Sequence, residues 1–582
     1  MTLSTHAAQR GGLIEQEIGF VLLLTAAALV AILIRRIRLP YTVALVVAGL
    51  ALALVPSFIT FNVSSDLILA VLVPPLVFEA TLNIKWRDLR GDMPLVLLLA
   101  IGGTLLSTFI VGGLVFQLLD IPMLGALAFG ALIAATDPVA VIAFFKSLGV
   151  SKRLSLLVEG ESLFNDGVAI VVFNLTIAAA TAMLVTDNAP AFSLVGAIVE
   201  FLRVSVVGVG VGLALGFVVA YIILRNIDDH LIETATTVAL AFGAYVAAES
   251  LHVSGLLAVV AAGLIVGNIG MSNTSPTTRL TLENFWEFLA FVANSLVFLL
   301  IGIEIQITQL LQFALPIAVA VLAVLFSRAI SVYLIAALYN RLTPDQMDVP
   351  VRYQHVMFWG GLRGAISLAL ALTIERNLFG ATIATEMQVM TFGVVLFTIL
   401  VQGTTIERLI ERLGLVQRRP QVIESQRRQA LAYARQAGRR ELNRLHNEGF
   451  LYPDMWQAMS AVYDEEIEES RRTMRDHLES YPELEQEMYL KARADVLKAE
   501  RSAVSDAAAR ALISLEVQEE LISETDRRLA ALELLADHPP APRPPPTSTL
   551  SVPSGWGRQP PFKPRLSAKR ARPTPLSFFS TS

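Results

Sequence analysis

The chain has 582 residues, 54% of them hydrophobic and only 16% charged, with a formal net charge of −5. A soluble globular protein of this length does not carry that balance, so the chain reads as a polytopic membrane protein, with membrane lipid as its surroundings and nucleic acid not an expected partner. Zero cysteines exclude disulfides, thiolate metal sites and cysteine nucleophiles, and seven histidines without ligand spacing give no metal-site signal, so no cofactor is expected.

A helix needs about 20 mostly apolar residues to cross the hydrocarbon core. That criterion predicts 13 spans, at 17–35, 42–58, 67–83, 94–119, 123–145, 154–184, 194–224, 232–249, 254–270, 285–304, 313–339, 355–376 and 384–402. The first is too long in its apolar core for a signal peptide and lacks a basic flank before it. Thirteen Lys or Arg residues follow odd-numbered spans, and Arg376 alone follows an even one. By the positive-inside rule the N-terminus lies outside and the C-terminal tail in the cytoplasm.

Two spans are interrupted. In the fifth, Ala135-Thr136-Asp137-Pro138 places a proline where it must break the helix. In the twelfth, Gly360-Gly361-Leu362-Arg363-Gly364 weakens the helix with three glycines at a similar depth. In a six-plus-one-plus-six arrangement the two breaks occupy corresponding positions of two oppositely oriented halves. This predicts an all-α fold of about 13 transmembrane helices with inverted repeats and broken helices 5 and 12. Interrupted segments paired in this way point to a transporter's substrate site.

After about residue 404 the composition changes. Residues 404–537 are rich in Arg, Glu, Ala and Leu and read as amphipathic helices of a cytoplasmic regulatory region, whereas 538–582 are Pro- and Ser-rich, basic and expected to be disordered. The transmembrane transport domain is thus expected over 1–403, and a partner for the tail is unknown.

Within the sixth span, Glu159-Gly160-Glu161-Ser162-Leu163-Phe164-Asn165-Asp166-Gly167 concentrates polar groups at membrane depth, where an ionisable residue is functional by default. Ser162 and Asp166 fall about 40° apart on one face, and Glu161 about 140° from Asp166. Glu161 therefore needs a separate partner, for which Arg328 and Arg363 are the candidates. Asp137 reads either as an N-cap with Pro138 as first helical residue or as part of an ion site, where the free carbonyls and hydroxyl near Thr136 would supply oxygen ligands for a hard cation. Arg363 either neutralises Asp137 and those carbonyls or snorkels to the interface. Glu79 either lines an ion path or reaches cytoplasmic water, and Glu200 with Arg203, spaced i, i+3, satisfy each other.

These three segments resemble the signature segments of NhaP/NHE-type monovalent cation:proton antiporters, in the family's order and on the expected spans. The resemblance covers roughly residues 15–403. It implies that Asp166 binds either Na⁺ or a proton, with Thr136, Asp137 and Ser162 as neighbouring ligands or organisers and Asn165 as a site stabiliser. It also implies a buried Glu161–Arg328 pair, an ion path at Glu79, and Arg363, Gly360, Gly361 and Gly364 at the crossing of the broken helices. By the same resemblance the protein is expected to be a homodimer serving sodium transport and pH homeostasis in the plasma (inner) membrane.

The mechanism expected is competition. An ionised carboxylate away from water is costly unless something neutralises it, so one aspartate with two mutually exclusive occupants couples cation to proton flux. If the other buried charges cancel, exchange is one-for-one and electroneutral, by alternating access. A K⁺-preferring antiporter is the alternative within this class. A cation channel or an organic-anion transporter fits the buried acids and paired breaks less well, and no nucleophile, base and oxyanion constellation indicates an enzyme.

Overall fold

The structure is a computed structural model that describes residues 19, 21–34, 41–54, 67–185, 193–227, 229–271, 274, 276–343, 348–374, 376–416, 420–509 and 512–537. The basic-rich segment expected from 538 onward, and the loop residues Arg35, Arg36 and Arg38, lie outside the described residues. Among the described residues every regular element is helical, and the chain divides into two compact units after Arg418.

The first unit contains the crossings in sequence order. They are α1 (Val21–Ile34), α2 (Tyr41–Ala53), α3 (Ile68–Leu82) and α4 (Trp86–Leu118), the broken pair α5 (Met123–Leu132) and α6 (Val139–Leu148), α7 (Lys152–Val185) and α8 (Val195–Ile223). Then follow α9 (His230–Ser250), α10 (Gly255–Gly270), α11 (Pro276–Glu304), α12 (Ala314–Leu342), the second broken pair α13 (Val351–Trp359) and α14 (Ala365–Leu372), and α15 (Ala381–Arg412). Counting each broken pair once gives thirteen crossings, with the interruptions in the fifth and twelfth. Seven of these helices are long and apolar enough to span a bilayer unaided. The last runs ten residues past the apolar stretch that predicts it.

Starts of helices follow capping chemistry. Ser193 Oγ accepts from Gly196 N at 3.2 Å, Asp229 Oδ1 from Leu231 N at 2.9 Å, and Ser254 Oγ from Leu257 N at 3.3 Å, each satisfying a backbone donor that the helix leaves open. Packing between crossings relies on small residues, as expected where lipid offers no hydrophobic drive to association. At the α2–α11 contact a Cβ on Gly49 would lie 2.9 Å from Gly302 Cα, so the two backbones touch only because both residues are glycine. Phe78 on α3 packs tilted against Trp286 of α11, ring centroids 4.5 Å apart, and the Trp286 indole N–H donates to Thr237 Oγ1 of α9 at 3.0 Å. This joins α3, α9 and α11 behind the site described below.

The second unit has four long helices, α16 (Pro420–Asn447), α17 (Pro453–Ser480), α18 (Pro482–Ala509) and α19 (Leu515–Asp537). Arg439 on α16 pairs with Asp464 of α17 at 2.9 Å and lies 5.6 Å over the Trp456 ring. The guanidinium holds the exposed Asp464 carboxyl below its ordinary value.

Candidate ion-binding site

The two chain breaks cross. Asp137 N–H donates to Leu362 O at 2.8 Å, so the unwound segment of one broken helix hydrogen-bonds that of the other. A Cβ on Gly364 would sit 2.9 Å from Asp137 Cγ, and one on Gly361 would sit 2.7 Å from Arg328 Nε, so both positions need the bare backbone. Gly360 closes α13, its N–H donating to Val356 O at 2.7 Å. Asp137 Oδ1 accepts from Val139 N at 2.9 Å, the bond an N-cap makes, while the regular helix begins at Val139, one residue later than the Asp137–Pro138 reading places it.

The carbonyls at the end of α5 are not free, which corrects the expectation that they stand open as ligands. Ala134 O accepts from Arg363 Nη1 at 2.6 Å and from Asn165 Nδ2 at 2.9 Å, Ala135 O accepts from Arg363 Nη1 at 3.1 Å, and Thr136 O accepts the Ser162 hydroxyl. Buried carbonyls find donors wherever the fold supplies them. Arg363 thus neutralises the carbonyls of the chain break, as expected, but among the described residues it forms no ion pair with Asp137, the other half of that expectation. Its own backbone N–H donates to Thr398 Oγ1 of α15 at 3.1 Å.

Asn165 is held at both ends of its amide. Nδ2 also donates to Thr136 Oγ1 at 3.1 Å, and Oδ1 accepts from Thr104 on α4, just past a π-helical stretch at Leu98–Gly103. Glu161, on the opposite side of α7, is 2% exposed and meets Arg328 in a two-armed ion pair, with Nη2 to Oε2 at 3.0 Å. Arg328 Nη2 also donates to Met357 O at 2.9 Å, anchoring the end of α13.

With both arginines so engaged, Asp166 and Asp137 form no ion pair among the described residues. They face a cavity of about 100 Å³ lined also by Thr136, Ser162 and Glu159 and closed on its far side by α3 and α11. The Thr136 backbone amide lies within electrostatic range of the Asp166 carboxylate. Ser162, its proton committed to Thr136 O, keeps lone pairs for the cavity. Glu79 does not line this cavity. It accepts from Asn83 Nδ2 at 2.8 Å and lies within electrostatic range of Glu159, with Lys146 acting on both.

Glu159, Ser367 and Asn294 on the cavity wall, and Thr104 and Thr398 behind it, also belong to the site. Glu159 stands two residues before the paired glutamate in the same motif, and Asn294-Ser295 repeat the signal of adjacent polar residues within an apolar stretch. Thr104, Thr398 and Ser367 carry no such signal, since hydroxyls are ordinary in transmembrane helices.

The family model for the transmembrane sodium/hydrogen exchanger matches residues 22–412. The chain is 43% identical over 387 residues to the Na(+)/H(+) antiporter ApNhaP of Aphanothece halophytica, covering 66% of this chain and 71% of that protein. It is 35% identical to the Na(+)/H(+) antiporter NhaG of Bacillus atrophaeus, covering 86% and 95%. The structure of the sodium proton antiporter MjNhaP1 from Methanocaldococcus jannaschii superimposes with a TM-score of 0.55 at 20% identity, over 68% of this chain and 97% of that one.

Proposed function

The chain belongs to the sodium/hydrogen exchanger family, and we propose that it exchanges Na⁺ for H⁺ one-for-one and without net charge movement, with Asp166 as the group that carries each in turn. The observation that carries this reading is the absence, among the described residues, of any ion pair to Asp166 in a site where every nearby arginine is already bonded. A carboxylate in that position is neutral only with a cation or a proton on it, and crossing the membrane unneutralised is costly.

The charge count supports electroneutrality. Glu161 and Arg328 cancel. Arg363 and Asp137 cancel in sum, although they do not touch, and with Glu159 protonated this leaves one negative charge at Asp166 for one monovalent occupant. Asp137, Ser162 and Thr136 surround the occupant, Asn165 ties α7 to the break and to α4, and Glu79 with Glu159 lies on the approach. Alternating access follows if α5, α6, α7, α13 and α14 move against the wall of α3 and α11.

The test is exchange in proteoliposomes of the full chain, reading internal pH while Na⁺ gradients and membrane potential are set independently. Na⁺-driven proton movement that is unchanged when the potential is clamped at different values supports the reading. Proton movement driven by potential alone at equal Na⁺ and pH contradicts it.

A further inference from the structure

The cavity has two chemically unlike walls. One, from α7 and the two breaks, carries Asp166, Asp137, Ser162 and Glu159. The other is apolar at Val73, Leu76, Val77 and Ala80 of α3, and Asn294 of α11 is the one polar side chain that the described residues place on it. Asn294 is 9% exposed and lines the cavity. Its neighbour Ser295 is bonded twice, to Phe291 O at 2.6 Å and to the Tyr41 hydroxyl at 2.8 Å, so the local fold satisfies the one and leaves the other facing the cavity. A polar amide on an otherwise apolar cavity wall is available to whatever occupies the cavity.

We propose that the Asn294 amide oxygen is a ligand of the transported cation, reaching it from the wall opposite Asp166. This rests on the exchange reading above. A neutral carbonyl oxygen is a natural ligand for a small hard cation, and being neutral it adds no charge to the one-for-one count. Because a proton on Asp166 makes no use of a second oxygen across the cavity, Asn294 favours the cation-loaded form over the proton-loaded one. It also makes the cation, and not the proton, the occupant that bridges the two walls.

The experiment is a Na⁺ titration of thermal stability on the purified full-length protein, since a ligand that binds the folded state raises its melting temperature. Proteoliposome exchange is read alongside. Asn294→Leu, close in size and lacking the oxygen, and Asn294→Ala are each expected to raise half-saturating Na⁺ and the transport KM about tenfold, the size of one lost polar contact in a buried site. Asn294→Asp, which keeps an oxygen and removes the N–H donor, is expected to bind Na⁺ at least as tightly as wild type. Unchanged half-saturating Na⁺ in the Leu and Ala variants overturns the proposal. So does weakened binding in Asn294→Asp, which would assign the amide a donor role towards the carboxylates. Asp166→Asn serves as the separate arm. If it retains Na⁺-dependent stabilisation, the exchange reading fails whatever Asn294 does, whereas a failure confined to the Asn294 variants leaves that reading standing.

Discussion

Charged groups in the membrane unit and in the helical unit after Arg418 obey different rules. Glu161 and Arg328 have side chains 3% and 10% exposed, and Arg328 divides its donors between the carboxylate and a backbone carbonyl. On α16, Arg444 bonds Glu441 and Glu448 with all three side chains 42–55% exposed, on the surface of its own helix. Exposed pairs at helical spacing contribute little and are replaceable, whereas a buried pair is neutral as a whole and costly in halves. In the membrane unit Glu161 and Arg328 are matched in this way, whereas Asp166, Asp137 and Glu159 face the cavity without an ion pair among the described residues.

The variants that break this contrast span a wide range of effect. Asp166→Asn removes one unmatched charge and is expected to abolish Na⁺-driven proton movement in proteoliposomes while the purified protein still elutes as a single folded species. Arg328→Met strands a buried Glu161 and is expected to cost about 3–5 kcal/mol in thermal or denaturant stability, with Glu161→Gln added to it recovering at least half of the loss. Gly364→Ala forces a methyl onto Asp137 at the crossing and is expected to cost about 1–3 kcal/mol, by overpacking, and to slow exchange at least tenfold. Arg444→Ala is expected to change stability by less than about 1 kcal/mol and to leave exchange unaltered. A large effect there would erase the distinction between the two units.

The same contrast explains what was legible in the sequence. Local pairs are fixed by helical periodicity, so Glu200 with Arg203 follows from an i, i+3 spacing and is found at 2.6 Å. Glu161 is different, since its candidates Arg328 and Arg363 lie 167 and 202 positions away and only the packing of α7 against α12 and α13 decides between them. The thirteen crossings and two breaks were readable because bilayer thickness, proline and glycine act through local chemistry. Arg363 was readable in part: its bonds to the carbonyls of the break were expected, and the ion pair with Asp137 is not formed among the described residues. Charge arithmetic favours a carboxylate partner, and the structure gives the arginine to two carbonyls that the break would otherwise leave unsatisfied. Asn294 shares with Ser295 the signal of adjacent polar residues in an apolar stretch, but only the wall on which the fold places it separates it from a residue that merely packs.

The central claim, that one carboxylate is shared in turn by Na⁺ and a proton, is tested most directly by counting protons released when Na⁺ binds. Isothermal titration of the purified full-length protein in buffers of differing ionisation enthalpy, at a pH where the empty site is protonated, is predicted to show about one proton released per Na⁺ bound, with neither binding nor release in Asp166→Asn. Na⁺ binding without proton release in the wild type, or undiminished release in the variant, would contradict it.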